Sequence, residues 1–313
     1  MKNEWKEKRL LTKVAQMYYD ENKTQQEIAD KYGISRPSVS RLLQKAREKG
    51  IVEIKVHNEF SFTVLEKELE KKFNLREVII TPTDENESLK RLLAEAAAGY
   101  LTRVLKDHDI IGVSWGTTLA YISEYIKNET RDVVFVPLVG GVGQSRLDVH
   151  SNQIVLNLAR AFNGKWQLLH VPAIVDSEEV RESLLSDTNI SKSLEIASNS
   201  NVALIGIGAP LAPNSTILET GYYTDKILND LEKAGAICDL CSIFIDVDGK
   251  VCDVELNQRV IGISIDHLKK IPIVVGVAGG VDKHEAILAA LKGRYINVLV
   301  TDEKTGNYLL RSV

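Results

Sequence analysis

Residues 273–301, IVVGVAGGVDKHEAILAALKGRYINVLVT, contain a complete strand–helix–strand unit. The apolar run 273–278 ends at two glycines, the amphipathic segment 282–292 follows, and a second apolar run covers 296–301. Two strands joined by a helix of this length run parallel in one sheet, because a tight hairpin can join only antiparallel strands. The segment therefore predicts an α/β fold.

The same alternation extends towards the N-terminus as far as residue 77. Helical segments such as 88–105 separate short apolar runs, which is typical of a mostly parallel sheet with helices on both faces. We therefore predict a Rossmann-like α/β domain for most of the chain. Its further strands are expected at 77–81, 110–114, 133–138, 202–207 and 243–247.

Charge divides the 313 residues into two parts. The whole chain carries a formal net charge of -4, yet residues 1–58 hold 13 Lys and Arg against 8 Asp and Glu. A basic head on an acidic body is typical of a polyanion-binding module fused to another domain. Length and this asymmetry predict two domains, a polyanion-binding head at 1–57 and a second domain at 58–313.

Several classes of protein are excluded by composition. With 44% hydrophobic and 26% charged residues the chain is not broadly disordered, and no apolar run reaches the ~18 residues that span a bilayer. Three cysteines cannot form a disulfide framework, and Cys238, Cys241 and Cys252 lack a fourth ligand for zinc. We expect a cytoplasmic protein with buried thiols, no metal, no cofactor and no membrane contact.

The basic head has the pattern of a helix-turn-helix. Thr24 is a candidate N-cap and Glu27, three residues later, completes a capping box. Gly33 suits the positive φ of a sharp turn, and Ser35 then caps a further helix that tolerates Pro37 in its first turn.

The second helix of such a motif enters the major groove of DNA. Arg36 and Arg41 could each bind a guanine edge, the nearby serines could serve as small hydrogen-bonding groups, and the preceding helix start could hold phosphate. The alternative is a helical hairpin with a solvated basic face. Residues 51–56 are expected to form a wing of two strands. The predicted DNA-binding residues are Thr24, Gln25, Gln26, Arg36, Ser38, Ser40, Arg41 and Lys45.

A connecting helix is predicted over residues 61–75. Its apolar stripe consists of Phe62, Leu65, Leu69 and Phe73. This stripe could pack against a second copy of the chain, since operator symmetry usually mirrors protein symmetry, or against its own body. Four apolar positions do not separate the two possibilities.

Glycine-rich loops follow four predicted strands of the body. Ligands of such sheets bind beyond the carboxyl ends of the strands, where glycine lets a ligand approach the backbone closely. Lys283 lies in the first turn of a helix, against the helix dipole, and an anion beside it would explain that position. The predicted effector-binding residues of these loops are Ser114, Gly116, Thr117, Thr118, Gly140, Gly141, Gly206, Gly208, Gly279, Gly280 and Lys283.

The head TQQEIADKYGISRPSVSRLLQKAREKGIVEIKV and the body runs VSWGTT, LNQRVIGIS and VAGGVDKHEAILAALKGRYINVLVTDEKT resemble the SorC/DeoR-type sugar-binding transcriptional regulators. The resemblance implies a bacterial regulator, often a repressor, that is a dimer or tetramer on double-stranded operator DNA. It implies that residues 1–57 are a DNA-binding domain and that residues 58–313 are a sugar-binding effector and oligomerisation domain. The fold of that domain would be like that of glucosamine-phosphate deaminases and ribose-phosphate isomerases, with a sugar or sugar phosphate as inducer. The segment 246–249 has the pattern of a turn at Asp248 and Gly249, and Asp246 beside it could contact a ligand hydroxyl. The resemblance implies that Asp246 belongs to the effector site.

Two departures from the family pattern concern cations. Some relatives have a basic residue before the double glycine, where this chain has Val139, and relatives often have Arg in the run before Asp246, which here reads 241–244, CSIF. Without these two cations, the chain lacks the charge-assisted hydrogen bonds that they would donate to a phosphate. The effector is therefore either less anionic or held through Lys283 and backbone amides alone.

The sequence thus predicts a DNA-binding regulator, a repressor of a carbohydrate operon, controlled by a small carbohydrate or sugar phosphate. The alternative is a sugar-phosphate isomerase or deaminase with an appended DNA-binding domain. Against it, the Gly-rich loops hold no paired carboxylates and no His–acid pair for proton transfer. A constitutive architectural DNA binder is a third possibility.

Overall fold

A computed structural model describes residues 2–54, 62–83, 88–127, 129–143, 147–213 and 215–312. The chain divides into two compact units, Met1–Phe60 and Ser61–Val313. No helix within these described ranges is both long enough and apolar enough to cross a lipid bilayer.

Fourteen α-helices and nine strands are found in the described residues. The helices are α1 Lys2–Tyr19, α2 Gln25–Tyr32, α3 Arg36–Glu48, α4 Thr63–Phe73, α5 Leu89–Val104, α6 Thr117–Tyr121, α7 Ser151–Ala161, α8 Glu178–Leu185, α9 Thr188–Ser198, α10 Asp225–Lys233, α11 Glu255–Gln258, α12 Ile265–Lys270, α13 His284–Lys292 and α14 Glu303–Arg311. The strands are β1 Glu77–Thr81, β2 Ile110–Val113, β3 Val134–Pro137, β4 Lys165–Trp166, β5 Val202–Gly206, β6 Cys238–Leu240, β7 Ile243–Ile245, β8 Ile273–Val277 and β9 Val298–Asp302.

Helices α1 to α3 form the N-terminal unit around a small core that includes Val14, Ile28 and Val39. The capping box predicted at the start of α2 is present, with the Glu27 carboxylate and the Thr24 hydroxyl each satisfying the other's backbone amide. Gly33 ends α2 with φ 66°, and Ser35 caps α3. The helix-turn-helix therefore follows from local rules of helix termination.

The predicted wing is wrong for the residues that can be judged. Residues 51–54 form a bend and irregular chain without a strand, and 55–56 lie outside the described residues. The amides of Ile51 and Val52 both donate to the Ala46 carbonyl, and their side chains pack on the core that Leu11 shares with Ala46. The chain folds back on the end of α3 because the last carbonyls of a helix, including that of Ala46, have no donor within the helix.

Seven strands of the second unit form one parallel sheet in the order β1-β9-β8-β5-β2-β3-β4. The chain leaves β2 towards β3 and leaves β5 towards β8, which is the opposite direction. In open parallel sheets, such a reversal creates a crevice at the carboxyl ends of the strands. The predicted parallel α/β architecture is confirmed, and it places a crevice beside β2 and β5.

Both faces of this sheet are buried. Along β9, Val298 and Val300 face one apolar cluster and Leu299 faces another on the opposite side. Helices α5 and α7 cover the first face, while α13 and the β6–β7 hairpin lie in the second cluster. Burial on two sides explains why these strands are continuous apolar runs and not alternating ones.

Three strand assignments differ from the prediction. The run at 243–247 is not part of the main sheet, since β7 pairs antiparallel with β6 in a separate hairpin. Strands β6 and β4 were not predicted. Three-residue and two-residue strands carry too short a pattern to be recognised, and their pairing depends on distant residues.

The connecting helix, α4, packs on its own body. Leu69 is fully buried, and Phe62, Leu65 and Phe73 pack partly buried against the same cluster. The carboxylates of α4 also accept backbone hydrogen bonds from β1 at the edge of the sheet. Of the two possibilities for the apolar stripe, the structure supports packing within the chain.

Candidate functional site

Helix α3 presents most of the predicted DNA-binding side chains to solvent. Arg36, Ser40 and Arg41 are exposed, whereas Ser38 is half-buried because its hydroxyl lies 2.9 Å from the Ser35 hydroxyl at the helix cap. Val39, Leu43 and Ala46 are buried beneath them. The helix thus has one apolar face for packing and one face with two exposed guanidinium groups, which suit bidentate contact to base edges or phosphate. The Arg41 Nε donates to the Pro37 carbonyl at 3.4 Å.

Lys45 differs from the other predicted DNA-binding residues. Its ammonium pairs with Glu7 on α1, and Lys49 pairs with the same carboxylate at 2.9 Å. These two cations lower the pKa of Glu7 to about 2. The pair fastens α3 to α1 at the surface, so part of the positive charge of Lys45 is already neutralised.

The start of α2 and the start of α3 share one surface concavity. Gln25, Gln26 and Arg36 line it together with Thr24, whose hydroxyl donates to Glu27 at 2.9 Å. The sequence interpretation missed the end of α1 and the turn that follows it, which add two phenol rings and a cation. The added residues are Tyr18, Tyr19, Asn22 and Lys23.

The predicted effector loops meet at a cavity of about 340 Å³ in the second unit. It lies beyond the carboxyl ends of β2, β5 and β8, which are neighbours in the sheet. Its volume falls within the range of small-molecule sites, roughly 300–1,000 Å³. The predicted residues that line it are Ser114, Gly116, Thr117, Thr118, Gly206, Gly208, Gly279, Gly280 and Lys283.

Three of these residues, Ser114, Gly206 and Gly208, join the walls of the cavity. The Gly206 amide donates to the Ser114 hydroxyl at 3.2 Å, which joins the end of β5 to the end of β2. Gly208 exchanges both backbone hydrogen bonds with Asp239 at 2.9 Å, and a Cβ at Gly208 would lie 3.1 Å from the Asp239 side chain. The glycine therefore allows an acidic strand residue to reach the cavity.

Asp239 is the buried acidic residue of the cavity, which the exposed Asp282 also lines, and the sequence interpretation missed Asp239. It is only 4% exposed, and its Oδ1 has no hydrogen-bond partner among the described residues. Burial raises its pKa to about 7, although the Ser242 amide and Lys283 oppose that shift. A buried carboxyl oxygen without a donor is costly, so this atom is suited to a ligand hydroxyl.

Lys283 and Lys90 supply the positive charge of the cavity. The Lys283 ammonium donates to the Ile207 carbonyl at 2.7 Å. Burial, followed by repulsion from Lys90, lowers its pKa to about 8, while Asp239 opposes that shift. Lys90 was not predicted. It lies in the first turn of α5, against the helix dipole as Lys283 lies at its own helix start, so an anion would be stabilised between them.

The β6–β7 hairpin forms a further wall through a two-residue turn. Cys241 and Ser242 both have positive φ, 53° and 67°, a conformation that such turns usually give to Asn and Gly. Cys241 lines the cavity and Ser242 accepts a hydrogen bond from the Trp115 indole at 3.3 Å. The three cysteines are free and buried, as the sequence interpretation favoured.

Three predicted effector residues do not line this cavity. A Cβ at Gly140 would lie 2.4 Å from the Pro172 carbonyl oxygen, and the Gly141 amide donates to the Val171 carbonyl at 2.8 Å. These glycines allow two backbone segments to pack closely. Asp246 accepts the amides of Asp248 and Lys250 at 2.9 Å each, so its carboxylate shapes a turn. The structure thus supports the turn at Asp248 and Gly249, where Gly249 has φ 78°, and Asp246 contributes its carboxylate to that turn.

Family models match both units of the chain. A sugar-binding domain model (Sugar-bind) matches residues 57–311, and a model of sigma-70 region 4 matches residues 12–49. The deoxyribonucleoside regulator of Bacillus subtilis is 34% identical over 308 residues, covering 97% of this chain and 98% of that protein. The sorbitol operon regulator of Klebsiella pneumoniae is 32% identical over 310 residues, with the same two coverages.

Solved structures agree with these matches. The full-length sorbitol operon regulator SorC of Klebsiella pneumoniae superposes with a TM-score of 0.76 at 31% identity, covering 97% of this chain and 99% of that one. A DeoR family transcriptional regulator of Listeria monocytogenes gives 0.73 at 32% identity over 79% of this chain and 98% of its own. With a helix-turn-helix head and a matched sugar-binding body, this chain belongs to the SorC/DeoR-type family of sugar-binding transcriptional regulators.

Proposed function

We propose that this protein represses a carbohydrate operon and that a sugar phosphate bound in the cavity controls its affinity for operator DNA. The observation that carries the proposal is the lining of the cavity. Lys90 and Lys283 offer two cations for an anionic group, and Asp239 offers a buried, unpartnered carboxyl oxygen for a hydroxyl. A small molecule with both a phosphate and hydroxyl groups satisfies all three.

The cations of the cavity support a phosphorylated effector, one of the two effector types that the sequence left open. Val139 is buried in the apolar core, so position 139 contributes no charge to any ligand. Lys90 compensates for that loss, since it reaches the same cavity from a different helix. Charge-assisted hydrogen bonds from two ammonium groups favour a phosphorylated sugar over a neutral one.

On the DNA side, α3 would enter the major groove with Arg36 and Arg41 on base edges. The α2 start, with Gln25 and Gln26 beside Arg36, would contact phosphate. A symmetric dimer or tetramer would present two such heads to two half-sites. Binding of the sugar phosphate would shift the population towards the arrangement with weaker operator affinity.

A thermal-shift screen of the full chain tests the effector class. The panel is ribose 5-phosphate, glucose 6-phosphate, fructose 6-phosphate, the three parent sugars and inorganic phosphate. A compound present at 100 times its Kd should add about 2.7 kcal/mol to the free energy of unfolding. We expect phosphorylated compounds alone to raise Tm and to release DNA in a mobility-shift assay, and stabilisation by the neutral sugars alone would contradict the phosphate assignment.

One observation favours a second candidate, a sugar-phosphate isomerase or deaminase activity. Asp239 has a pKa of about 7 and Lys283 of about 8, which are values suited to proton transfer near neutral pH. The two groups line the same cavity. Turnover of any panel compound that is lost in Asp239→Asn would establish this activity, and DNA release without turnover would leave regulation as the function.

A further inference from the structure

Helix α14 contacts the cavity loop at one end. The Gly280 amide donates to the Asp302 carboxylate at 2.7 Å and lies 3.2 Å from the Thr305 hydroxyl, which itself donates to Asp302 at 2.6 Å. A Cβ at Gly279 would lie 2.4 Å from the same carboxylate oxygen. Asp302 also caps α14 through the Thr305 amide, so the cavity loop and the helix start share one buried carboxylate.

The other end of α14 is held by α4. The Lys72 ammonium donates to the carbonyls of Leu309 at 3.1 Å, Leu310 at 2.8 Å and Ser312. These carbonyls lie at the helix end, where backbone acceptors lack partners and a cation is favoured by the helix dipole. Lys72 therefore serves as the C-terminal cap of α14 from a different helix.

The middle of α14 packs closely on the same neighbour. A Cβ at Gly306 would lie 2.9 Å from Ile80 and 3.2 Å from Leu65 of α4. Glu66 and Glu70 of α4 accept the amides of Ile80 and Val78, respectively, at 2.9 and 3.0 Å. Helix α4 is thus fixed to β1 and α14 together, and a shift of α14 moves both the packing and the polar contacts of α4.

Helix α4 is also the first element of the second unit, and it follows the DNA-binding unit in the chain. Because Gly280 lines the cavity and its amide is already bound to Asp302, a ligand that displaces this loop must act on the α14 start. A nine-residue helix capped at both ends moves as a rigid body more readily than it bends.

We propose that Asp302, Thr305 and Lys72 are positioning residues that couple the cavity loop to the connecting helix through α14. This proposal rests on one part of the proposed function, namely that DNA binding and ligand binding in the cavity affect each other. None of the three lines the cavity, so none contacts an effector there. Their substitution should therefore reduce the response of one site to the other while each site keeps its own affinity.

Hydrogen–deuterium exchange of the full chain tests this coupling without any sugar phosphate. The probe is a duplex selected in vitro for tight binding to the wild type. Coupling is reciprocal, so DNA bound to the head should change exchange in the loop 278–283 by about 5-fold or more in the wild type, the lower end of typical allosteric effects. In Thr305→Val and Lys72→Met we expect less than about 2-fold with DNA affinity unchanged.

Conservative and distant variants separate coupling from general destabilisation. Thr305→Ser keeps the hydroxyl and Lys72→Arg keeps a cationic donor, so both should restore the wild-type response. Lys165 lies on β4, at the opposite edge of the sheet, and pairs with Asp132. The variant Lys165→Met removes that cation and should respond like the wild type. If Thr305→Val does not fold, Lys72→Met at the exposed surface still provides the measurement.

Each outcome has one meaning. The coupling through α14 is overturned if DNA does not change hydrogen–deuterium exchange in the loop of the wild type. It is also overturned if that change persists in both Thr305→Val and Lys72→Met. Loss of the response in both variants with recovery in the conservative ones supports it. If DNA changes the loop while no sugar phosphate of the panel affects DNA binding, the proposed effector class fails and the coupling stands.

Discussion

The two candidate sites place their charges in opposite environments. On the DNA-binding head, Arg36, Arg41 and Lys45 are exposed to solvent, and the Glu7 pair of Lys45 lies at the surface. In the cavity, Asp239 is buried and the Lys283 ammonium is bound to a backbone carbonyl. Burial perturbs the pKa values of both cavity groups towards neutrality.

The difference predicts two different sensitivities. Interactions of exposed charges with DNA depend on salt, because ions screen them and counterions are released from the phosphates. Interactions inside the cavity are screened less and depend instead on which groups carry protons. One chain should therefore respond to ionic strength at the head and to pH at the cavity.

The largest effect is expected from Lys283→Met, which keeps the length of the side chain and removes its charge. Loss of a buried cation that contacts an anionic ligand costs about 2–5 kcal/mol, so sugar-phosphate affinity should fall by about 30-fold or more. Isothermal titration with the panel compound that stabilises the wild type most measures this loss. DNA affinity without effector should stay the same.

Lys292→Met is the matched control for that variant. Lys292 lies at the end of α13, donates to the Val247 carbonyl at 3.1 Å and does not line the cavity. It should bind the same compound as tightly as the wild type. Equal losses in both variants would mean that general charge, and not the cavity contact, controls affinity.

The second effect concerns Arg41→Ala on the head. A lost bidentate base contact costs about 1–3 kcal/mol and relaxes specificity at one base pair. Competition binding with single-base variants of the selected duplex measures both. Arg47→Ala, in the last turn of the same helix, removes an equal charge and should weaken all duplexes similarly. Unchanged discrimination in Arg41→Ala would show that this side chain does not contact a base.

The head could be predicted almost completely because its structure is local. Thr24, Glu27, Gly33 and Ser35 are each explained by neighbours within a few residues, and the structure gives each the expected role at a helix end. The ion pairs of Glu7 with Lys45 and Lys49 join residues far apart in sequence, and they were not predicted.

The cavity could be predicted only in part because it is assembled from distant strands. The Gly279–Gly280 loop is visible as a strand–helix turn, but Asp239 lies on a three-residue strand with no recognisable pattern. Lys90 follows the loop after β1, and a search of every strand end for first-turn cations would have found it. Gly140 was included among the effector loops because a glycine for backbone packing and one for ligand approach look alike in sequence.

The third effect is a pH dependence of stability that Asp239→Asn should remove. The carboxyl has a pKa of about 7 in the folded protein, above its ordinary value near 4, so the native state holds a proton that the unfolded state has released. Between pH 4 and pH 7 the stability of the wild type should therefore fall as pH rises. Tm of the asparagine variant should lack this fall, a difference of a few °C at pH 7.

Ser242→Ala is the control for the asparagine variant, because it removes the partner of the Trp115 indole without changing a titratable group. It should lower Tm by the same amount at every pH between 4 and 7. A wild-type Tm that stays parallel to that of Asp239→Asn across this range would mean that the carboxyl is ionised throughout, contrary to its burial.

The smallest effect is expected from Glu7→Gln at the surface of the head. Exposed ion pairs contribute little to stability, so Tm should hardly change even though the variant breaks two contacts. DNA binding should respond more, because Lys45 and Lys49 lose their internal partner and the head loses a negative charge. A steeper fall of log K with log salt than in the wild type, with tighter binding at low salt, is the expected signature. An unchanged slope would show that neither lysine faces DNA and that the pair serves only to fasten α3 to α1.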